Sequence, residues 1–321
     1  MDYRDLGRAG VKVSPICLGN MNFGGSADES ASHAIMEHAV EKGINFFDTA
    51  DVYQKSVSEQ VLGRWLAEGG SSRREGLVIA TKVYGKMSEN VNDRGLSRRH
   101  IMKACDDSLR RLQIDAIDLY QCHHWDGVRI EETLRAMDDL VRAGKVIYWG
   151  TSNFKAWHLT EATLLAERML VPVPVSEQCP YSITNRHVEN ELAPFCMKFG
   201  VRMLPWSPLN AGRLSGLYRK GKPIEDTPRN KSEAFRLALD KNIDLIEQLT
   251  KLAEEMGTTL PRLGYAFLYH QPHVASVIVG PRTVEHLDEA IAALELKLDE
   301  ETTKRIDALV PPGSAPDYVG W

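Results

Sequence analysis

The stretch that decides the fold is residues 130–178, IEETLRAMDDLVRAGKVIYWGTSNFKAWHLTEATLLAERMLVPVPVSEQ. It opens with a segment of helical spacing, Ile130 to Ala143, and Gly144 follows it. An apolar run, Val146 to Ser152, comes next. A second helical segment, Trp157 to Met169, leads to another apolar run, Val173 to Gln178. Gly144 stands between helix and strand, where a C-terminal cap calls for left-handed backbone. Both runs lack clean polar alternation, as strands buried on two faces do. Helix and strand in this alternation build a parallel sheet.

The same alternation extends to both sides. Further β-type runs are Ile16 to Asn20, Asn45 to Asp48, Leu77 to Val83, Ile117 to His123, Val201 to Ser207 and Ala275 to Gly280. Helical segments are predicted at Ser32 to Lys42, Ser58 to Ala67, Glu189 to Phe199, Leu260 to His270 and Thr283 to Leu294. Ser97 can cap a helix whose apolar side carries Ile101, Cys105, Leu109 and Leu112. Gly43 and Gly200 repeat the junction seen at Gly144. Eight strand–helix pairs in 321 residues predict an α/β fold, a closed (β/α)8 TIM barrel forming one domain over residues 1–321. An open doubly wound sheet is the alternative. The Gly-rich segment Gly19 to Gly25 does not have the GxGxxG spacing that such a sheet would place after its first strand.

Two segments are additional. Tyr3 to Val13 is expected to form a β-hairpin around Arg8-Ala9-Gly10 that closes the barrel floor. Pro208 to Lys231 is a long, polar, Gly-rich loop, and such loops in compact folds are usually functional or mobile. A helix from Lys231 to Met256, extra C-terminal helices and a surface-lying tail, Pro311 to Trp321, complete the chain.

Composition narrows the function. The chain is 43% apolar and 26% charged, with a formal charge of -5, which argues against a nucleic-acid partner. The five cysteines are an odd number without a CxxC pair, so they read as buried thiols in a reducing compartment. No apolar signal core follows Met1, and no run reaches the roughly 18 residues of a membrane helix. The expected location is the cytoplasm, with no membrane partner and no metal.

Chemistry in a barrel sits at the C-terminal ends of the strands. The polar residues that fall there are Asp48 and Tyr53, Lys82, His123 and His124, Ser152 and Asn153, Gln178, Trp206 and Ser207, then Gly280 and Arg282. A free phenol has a pKa near 10, and a neighbouring ammonium is expected to lower it. Asp48 would hold Lys82 charged, and a neutral histidine would orient a carbonyl. Lys82 lies inside an apolar run, so it is either a structural partner of Asp48 or a catalytic group; a buried cation must be paired in both cases. Neighbours on a strand face opposite ways, so His123 and His124 are not both expected inside the barrel, and the choice between them stays open. Trp206 is either core packing or a flat face for a nicotinamide ring. Arg282, at a helix start, is either a surface residue or a ligand for the 2′-phosphate of NADPH. Phe23, Tyr84, Trp125 and Trp206 would exclude bulk water, with His124 beside them in the substrate pocket.

Together these residues resemble the aldo-keto reductase family. The resemblance is carried by Gly43 to Tyr53, Ala80-Thr81-Lys82, Asp118 to His123, Gly150 to Phe154, Trp206 to Leu209 and Gly280-Pro281-Arg282, in order along nearly the whole chain. It implies a tetrad of Asp48, Tyr53, Lys82 and His123, selecting His123 over His124. It implies NADPH extended across the barrel top, with Asn20, Met21 and Asp48 also near the cofactor. Ser152, Asn153 and Gln178 would hold the carboxamide and Trp206 would stack on the nicotinamide. Ser207, Pro208, Leu209, Gly212 and Leu214 would clasp the pyrophosphate, and Arg282, His286 and Glu289 would surround the adenosine end. Ala290 stands where the family often has Asn, and His286 where Arg or Gln is commoner. Met87 to Ser97 resembles bacterial members, some near deoxysugar pathways, which points to a sugar or keto-sugar among aldehyde and ketone substrates. Two other classes stand beside this one: a nicotinamide-sensing subunit with little turnover, and a hydrolase or glycosidase barrel. Glycosidases need two facing carboxylates, and only Asp48 and Asp51 stand near one another.

Overall fold

Eight parallel strands hydrogen-bond in sequence order around the molecule: β1 Ile16–Gly19, β2 Phe46–Asp48, β3 Val78–Val83, β4 Ile117–Cys122, β5 Val146–Ser152, β6 Ser176–Gln178, β7 Arg202–Met203 and β8 Val277–Val279. β8 pairs back with β1. The chain entering β8 bonds to the β7 segment through Ala275 N–H to Met203 O (3.0 Å) and Ile278 N–H to Pro205 O (2.8 Å), so the two edges meet and the sheet curls into a barrel. This computed structural model describes residues 1–221 and 232–315. The second part of the predicted loop, 222–231, which includes the expected helix start at Lys231, and the tail residues 316–321 lie outside the described residues.

Alternation along the strands sorts the side chains. Cys17, Phe46, Ala80 and Leu119 fill the barrel interior, while Leu18, Phe47, Ile79 and Tyr120 pack outward against the helices. Two residues beyond Phe46, Ala80 and Leu119, on the same inner face, come Asp48, Lys82 and Gln121. The pleat that builds the apolar interior therefore also turns three polar side chains into it near its upper end. The interior narrows at Gly150, where a Cβ would stand 2.3 Å from Ser176 Oγ.

The predicted hairpin is present, with antiparallel arms Arg4–Asp5 and Lys12–Val13 joined through a 3-10 turn, Gly7–Ala9. Its Leu6 and Val13 are fully buried against the inner cluster, and Tyr148 donates to Ala9 O at 3.1 Å. Burying each such side chain stabilises by about 1.5–3 kcal/mol, which fixes the hairpin as a floor.

The helices α1 Glu29–Glu41, α2 Val57–Glu75, α3 Arg98–Leu112, α4 Ile130–Arg142, α5 Ala156–Met169, α6 Leu192–Phe199, α7 Glu233–Glu255, α8 Leu260–Tyr269, α9 Val284–Ala292 and α10 Glu300–Leu309 surround the sheet. Asp28 and Ser97 cap α1 and α3 with side-chain hydrogen bonds to the third residue beyond. Gly63 lets α2 and α3 touch: a Cβ there would meet Arg111 O at 2.1 Å. Several expectations are corrected. β6 begins at Ser176, not Val173, because Pro172 and Pro174 have no N–H for the ladder. β7 is two residues long, since Pro205 interrupts it. α6 starts at Leu192, after a separate 3-10 turn, His187–Glu189. α10 is one of the expected extra C-terminal helices, at a place the spacing did not mark. Among the described residues no helix is long and apolar enough to cross a membrane, and all five cysteines are buried and free.

Candidate active site

Register brings the polar strand tips together. Gly19 pairs with Asp48, Asp48 with Ala80, Lys82 with Gln121, and Ser152 with Gln178. Lys82 is fully buried and its Nζ donates to Asp48 Oδ1 at 2.5 Å, to Thr49 O at 2.8 Å and to Tyr53 Oη at 3.2 Å. Asp48 Oδ2 accepts from Gln121 Nε2 (2.9 Å) and Gln178 Nε2 (3.0 Å). Gln121 was missed as a site residue. The signals that reveal it are its two-residue spacing from inward Leu119 and its pairing with Lys82.

Burial alone would lower the Lys82 pKa, but Asp48 and Tyr53 outweigh it and hold the ammonium above its ordinary value. The Tyr53 phenol behaves differently from expectation. Burial raises its pKa, Lys82 pulls it back, and the result stays above the ordinary value. Tyr53 is thus held protonated, as a donor requires. His123 stands edge-on to Tyr53, ring centroids 5.6 Å apart. Burial first, then Lys82 and His124, push its imidazole down to about 2, so it is neutral.

The two histidines do not face opposite ways. β4 ends at Cys122, so strand alternation no longer governs them, and their rings stack at 5.3 Å and 20°. His124 also touches Tyr84, at 5.2 Å. Trp125 stacks on His158 at 4.6 Å, and exposed Trp157 lies against the same imidazole. Phe23, expected in the pocket, is fully buried in the outer core and offers a substrate no surface.

A second set of polar groups continues the rim. Asn153 Nδ2 donates to His123 O (3.1 Å) and Ser152 Oγ (2.9 Å), and its Oδ1 accepts from Trp206 Nε1 at 3.2 Å. Ser152 Oγ donates to Gln178 O at 3.0 Å. Trp206 packs on the inner cluster and is only half-buried. Asn20, beyond β1, is fully buried with both amide atoms unpartnered. Met21 is exposed, and its carbonyl accepts from Gln54 at 2.9 Å.

Left-handed backbone clusters at this rim. Asn153 has φ 59°, Ser207 57°, Asn210 47° and Ala211 55°. After Tyr53, Gln54, Lys55 and Ser56 adopt φ 50°, 55° and 74° in succession, which lets α2 begin immediately. Ser207 Oγ accepts from Ala211 N–H at 2.7 Å, and Gly212 and Leu214 both donate backbone N–H to Leu209 O, so this turn is formed from within. Pro208 and Leu214 are buried.

At α9, Gly280 O accepts from Asn22 at 3.0 Å and the Thr283 side chain caps the helix. Arg282 is exposed beside that N-terminus. The Nδ1 of His286 lies 3.4 Å from the Arg282 backbone N–H. Glu289 is engaged elsewhere, accepting from Arg262 at 2.7 and 3.1 Å and from Thr259 at 3.1 Å.

Behind the sheet lie three buried carboxyl groups that were not singled out as site residues. Glu59 accepts from Thr81 and Arg111, each at 2.6 Å. Neither Asp51 oxygen has a hydrogen-bond partner among the described residues; burial, then Glu59, push its pKa up to about 7. Glu177 accepts from Thr151 and Phe154.

Residues 15–311 match the Aldo/keto reductase family. The chain is 38% identical over 332 aligned positions to the uncharacterized oxidoreductase YrpG of Bacillus subtilis (strain 168), with all of both chains covered. It is 35% identical to a probable voltage-gated potassium channel subunit beta of Oryza sativa subsp. japonica, covering 97% of each chain. The corresponding Arabidopsis thaliana protein is 36% identical over 92% of each chain.

Proposed function

Since the chain belongs to the aldo/keto reductase family of oxidoreductases, we propose that it reduces an aldehyde or ketone to the alcohol, with NADPH as the hydride donor and Tyr53 as the proton donor. The observation that carries this is the single Lys82 ammonium bonded to both Asp48 and Tyr53 at the strand tips. The dinucleotide, when bound, supplies a hydride to the carbonyl carbon. Tyr53 Oη gives its proton to the carbonyl oxygen. Lys82 stabilises the phenolate that remains, and Asp48 keeps Lys82 in place and charged. Neutral His123 orients the carbonyl by a hydrogen bond. Tyr84, His124, Trp125 and Trp206 narrow the mouth against water, which strengthens each of these interactions.

The donor set fits the dinucleotide. Ser152, Asn153 and Gln178 are neutral hydroxyl and amide groups, matched to a carboxamide, and Trp206 offers a flat face beside them. The unpartnered Asn20 amide adds a donor and an acceptor at the same end. Exposed Arg282 at the α9 N-terminus suits the 2′-phosphate. The turn from Ser207 to Leu214 would clasp the pyrophosphate by giving up some of its internal N–H bonds. Glu289, already paired with Arg262, would reach the adenosine only by giving up that pair. The substrate is a small carbonyl compound, with a sugar or keto-sugar the class the loop resemblance favours.

The test is multiple-turnover oxidation of NADPH with 4-nitrobenzaldehyde. Parent protein should turn over, while Tyr53→Phe should bind NADPH equally and lose about 10²–10⁴-fold in kcat. Parental turnover by Tyr53→Phe removes it as proton donor. A second reading is a nicotinamide-binding sensing subunit with little turnover; the names of the two plant relatives, probable channel subunits, favour only its being a subunit. Under it, a single burst of NADPH oxidation would not be followed by a steady rate.

A further inference from the structure

We propose that Glu177 is a positioning residue for the nicotinamide end of the cofactor site: from behind the sheet its carboxyl fastens the corner Thr151 to Phe154 and so aims Asn153 at both His123 and Trp206. This rests on the cofactor reading above. Gln178 turns into the barrel onto Asp48, so its neighbour Glu177 turns outward, and there it is fully buried. Its Oε2 accepts from the Thr151 hydroxyl at 2.5 Å, and its Oε1 from the Phe154 N–H at 3.0 Å. The two bonds straddle Ser152 and Asn153.

The corner needs such a fastening. Asn153 is held at φ 59°, in the left-handed region that most L residues avoid. Its side chain nevertheless makes three bonds at once, to His123 O, Ser152 Oγ and the Trp206 indole N–H. A shift of the corner therefore moves the His123 main chain, the Ser152 hydroxyl and the Trp206 indole together.

Glu177 has no ion pair among the described residues. Burial pushes its pKa up to about 8, with Thr151 and the Phe154 and Asn153 N–H groups pulling back. Burial thus favours the uncharged, protonated form, which glutamine matches in shape and charge. A glutamine side chain at this position would keep a carbonyl for the Phe154 N–H and turn its amide toward Thr151 Oγ, which has a second acceptor in Ser176 O at 3.3 Å.

The experiment compares full-length parent, Glu177→Gln, Glu177→Ala and Thr151→Val at pH 7. Affinities for NADPH and for 2′,5′-ADP, which lacks the nicotinamide, are read by fluorescence titration. The indole N–H resonance of Trp206 in cofactor-free protein, assigned by its loss in Trp206→Phe, is read by NMR. Glu177→Ala should lose roughly ten-fold or more in NADPH affinity, the scale on which removal of a supporting residue acts, bind 2′,5′-ADP as the parent does, and move the indole resonance. Thr151→Val should do part of this, and Glu177→Gln should restore both readouts. Equal losses for the two ligands, or an unmoved resonance in Glu177→Ala, overturn the proposal; if Glu177→Ala does not fold, a displaced resonance in folded Glu177→Gln overturns it instead. A parent that binds neither NADPH nor NADH overturns the cofactor reading, and with it the role given to Glu177, while a shifted resonance would still record the fastened corner.

Discussion

Replacing Lys82 by methionine isolates the buried ion pair on which the site is built. The ammonium is fully buried and Asp48 is 2% exposed, at 2.5 Å. Methionine fills similar volume but leaves the carboxylate with only the Gln121 and Gln178 amides. Breaking a buried pair by removing one partner costs about 3–5 kcal/mol. With an unfolding entropy of about 2.1 cal/mol/K per residue, 321 residues give about 0.7 kcal/mol/K, so the melting midpoint should fall by about 4–8 °C. The double variant Asp48→Asn, Lys82→Met carries neither charge and should recover at least half of that loss. The assay is calorimetry on parent, both single variants and the double, read as a thermodynamic cycle. Simple addition of the two single losses, or a Lys82→Met midpoint within about 1 °C of the parent, would refute a coupled buried pair.

Three other outcomes are expected. His123 should not titrate between pH 5 and 8 when its ring C–H resonance is followed by NMR, because burial and Lys82 hold its pKa down to about 2. It therefore contributes stability that is complete above the ordinary histidine value and is lost as pH falls below it; a midpoint inside that range would contradict this. Asp51→Asn should match the parent at pH 4 and melt higher above pH 7. The folded chain keeps a proton on Asp51 up to about 7 that the unfolded chain releases near 4, so the parent loses stability across that window and the variant does not. Arg282→Ala should weaken NADPH about ten-fold or more, as loss of a charge-assisted phosphate contact does, with little effect on NADH; equal losses would remove Arg282 from the 2′-phosphate.

The barrel was legible because its period is written in residue order: Gly43, Gly144 and Gly200 mark helix ends, and apolar runs follow each. Asp48, Tyr53 and Lys82 were legible as a group because each falls at a strand tip. Gln121 was not, since a lone polar residue in Leu119 to His123 has no meaning until the register sets it beside Lys82. The histidine pair was misread for a related reason: where a strand stops decides which way its last residues face, and strand ends are poorly marked in sequence. Phe23 was expected at the mouth, and only packing shows it inside. The carboxyl groups of Asp51 and Glu177 carry no local signal, because burial by distant helices sets their chemistry.

The run Gln54, Lys55, Ser56 acts as a wound spring next to the phenol. Three L residues in the left-handed region store roughly 1–2 kcal/mol each, although glycine would sit there without penalty. Tension of this kind persists only where neighbouring structure enforces it, here through the Gln54 bond to Met21 O and the Ser56 bond to Asp51 O. Glycines placed there to gain thermal endurance would slacken the segment that presents Tyr53, trading speed of reaction for resilience.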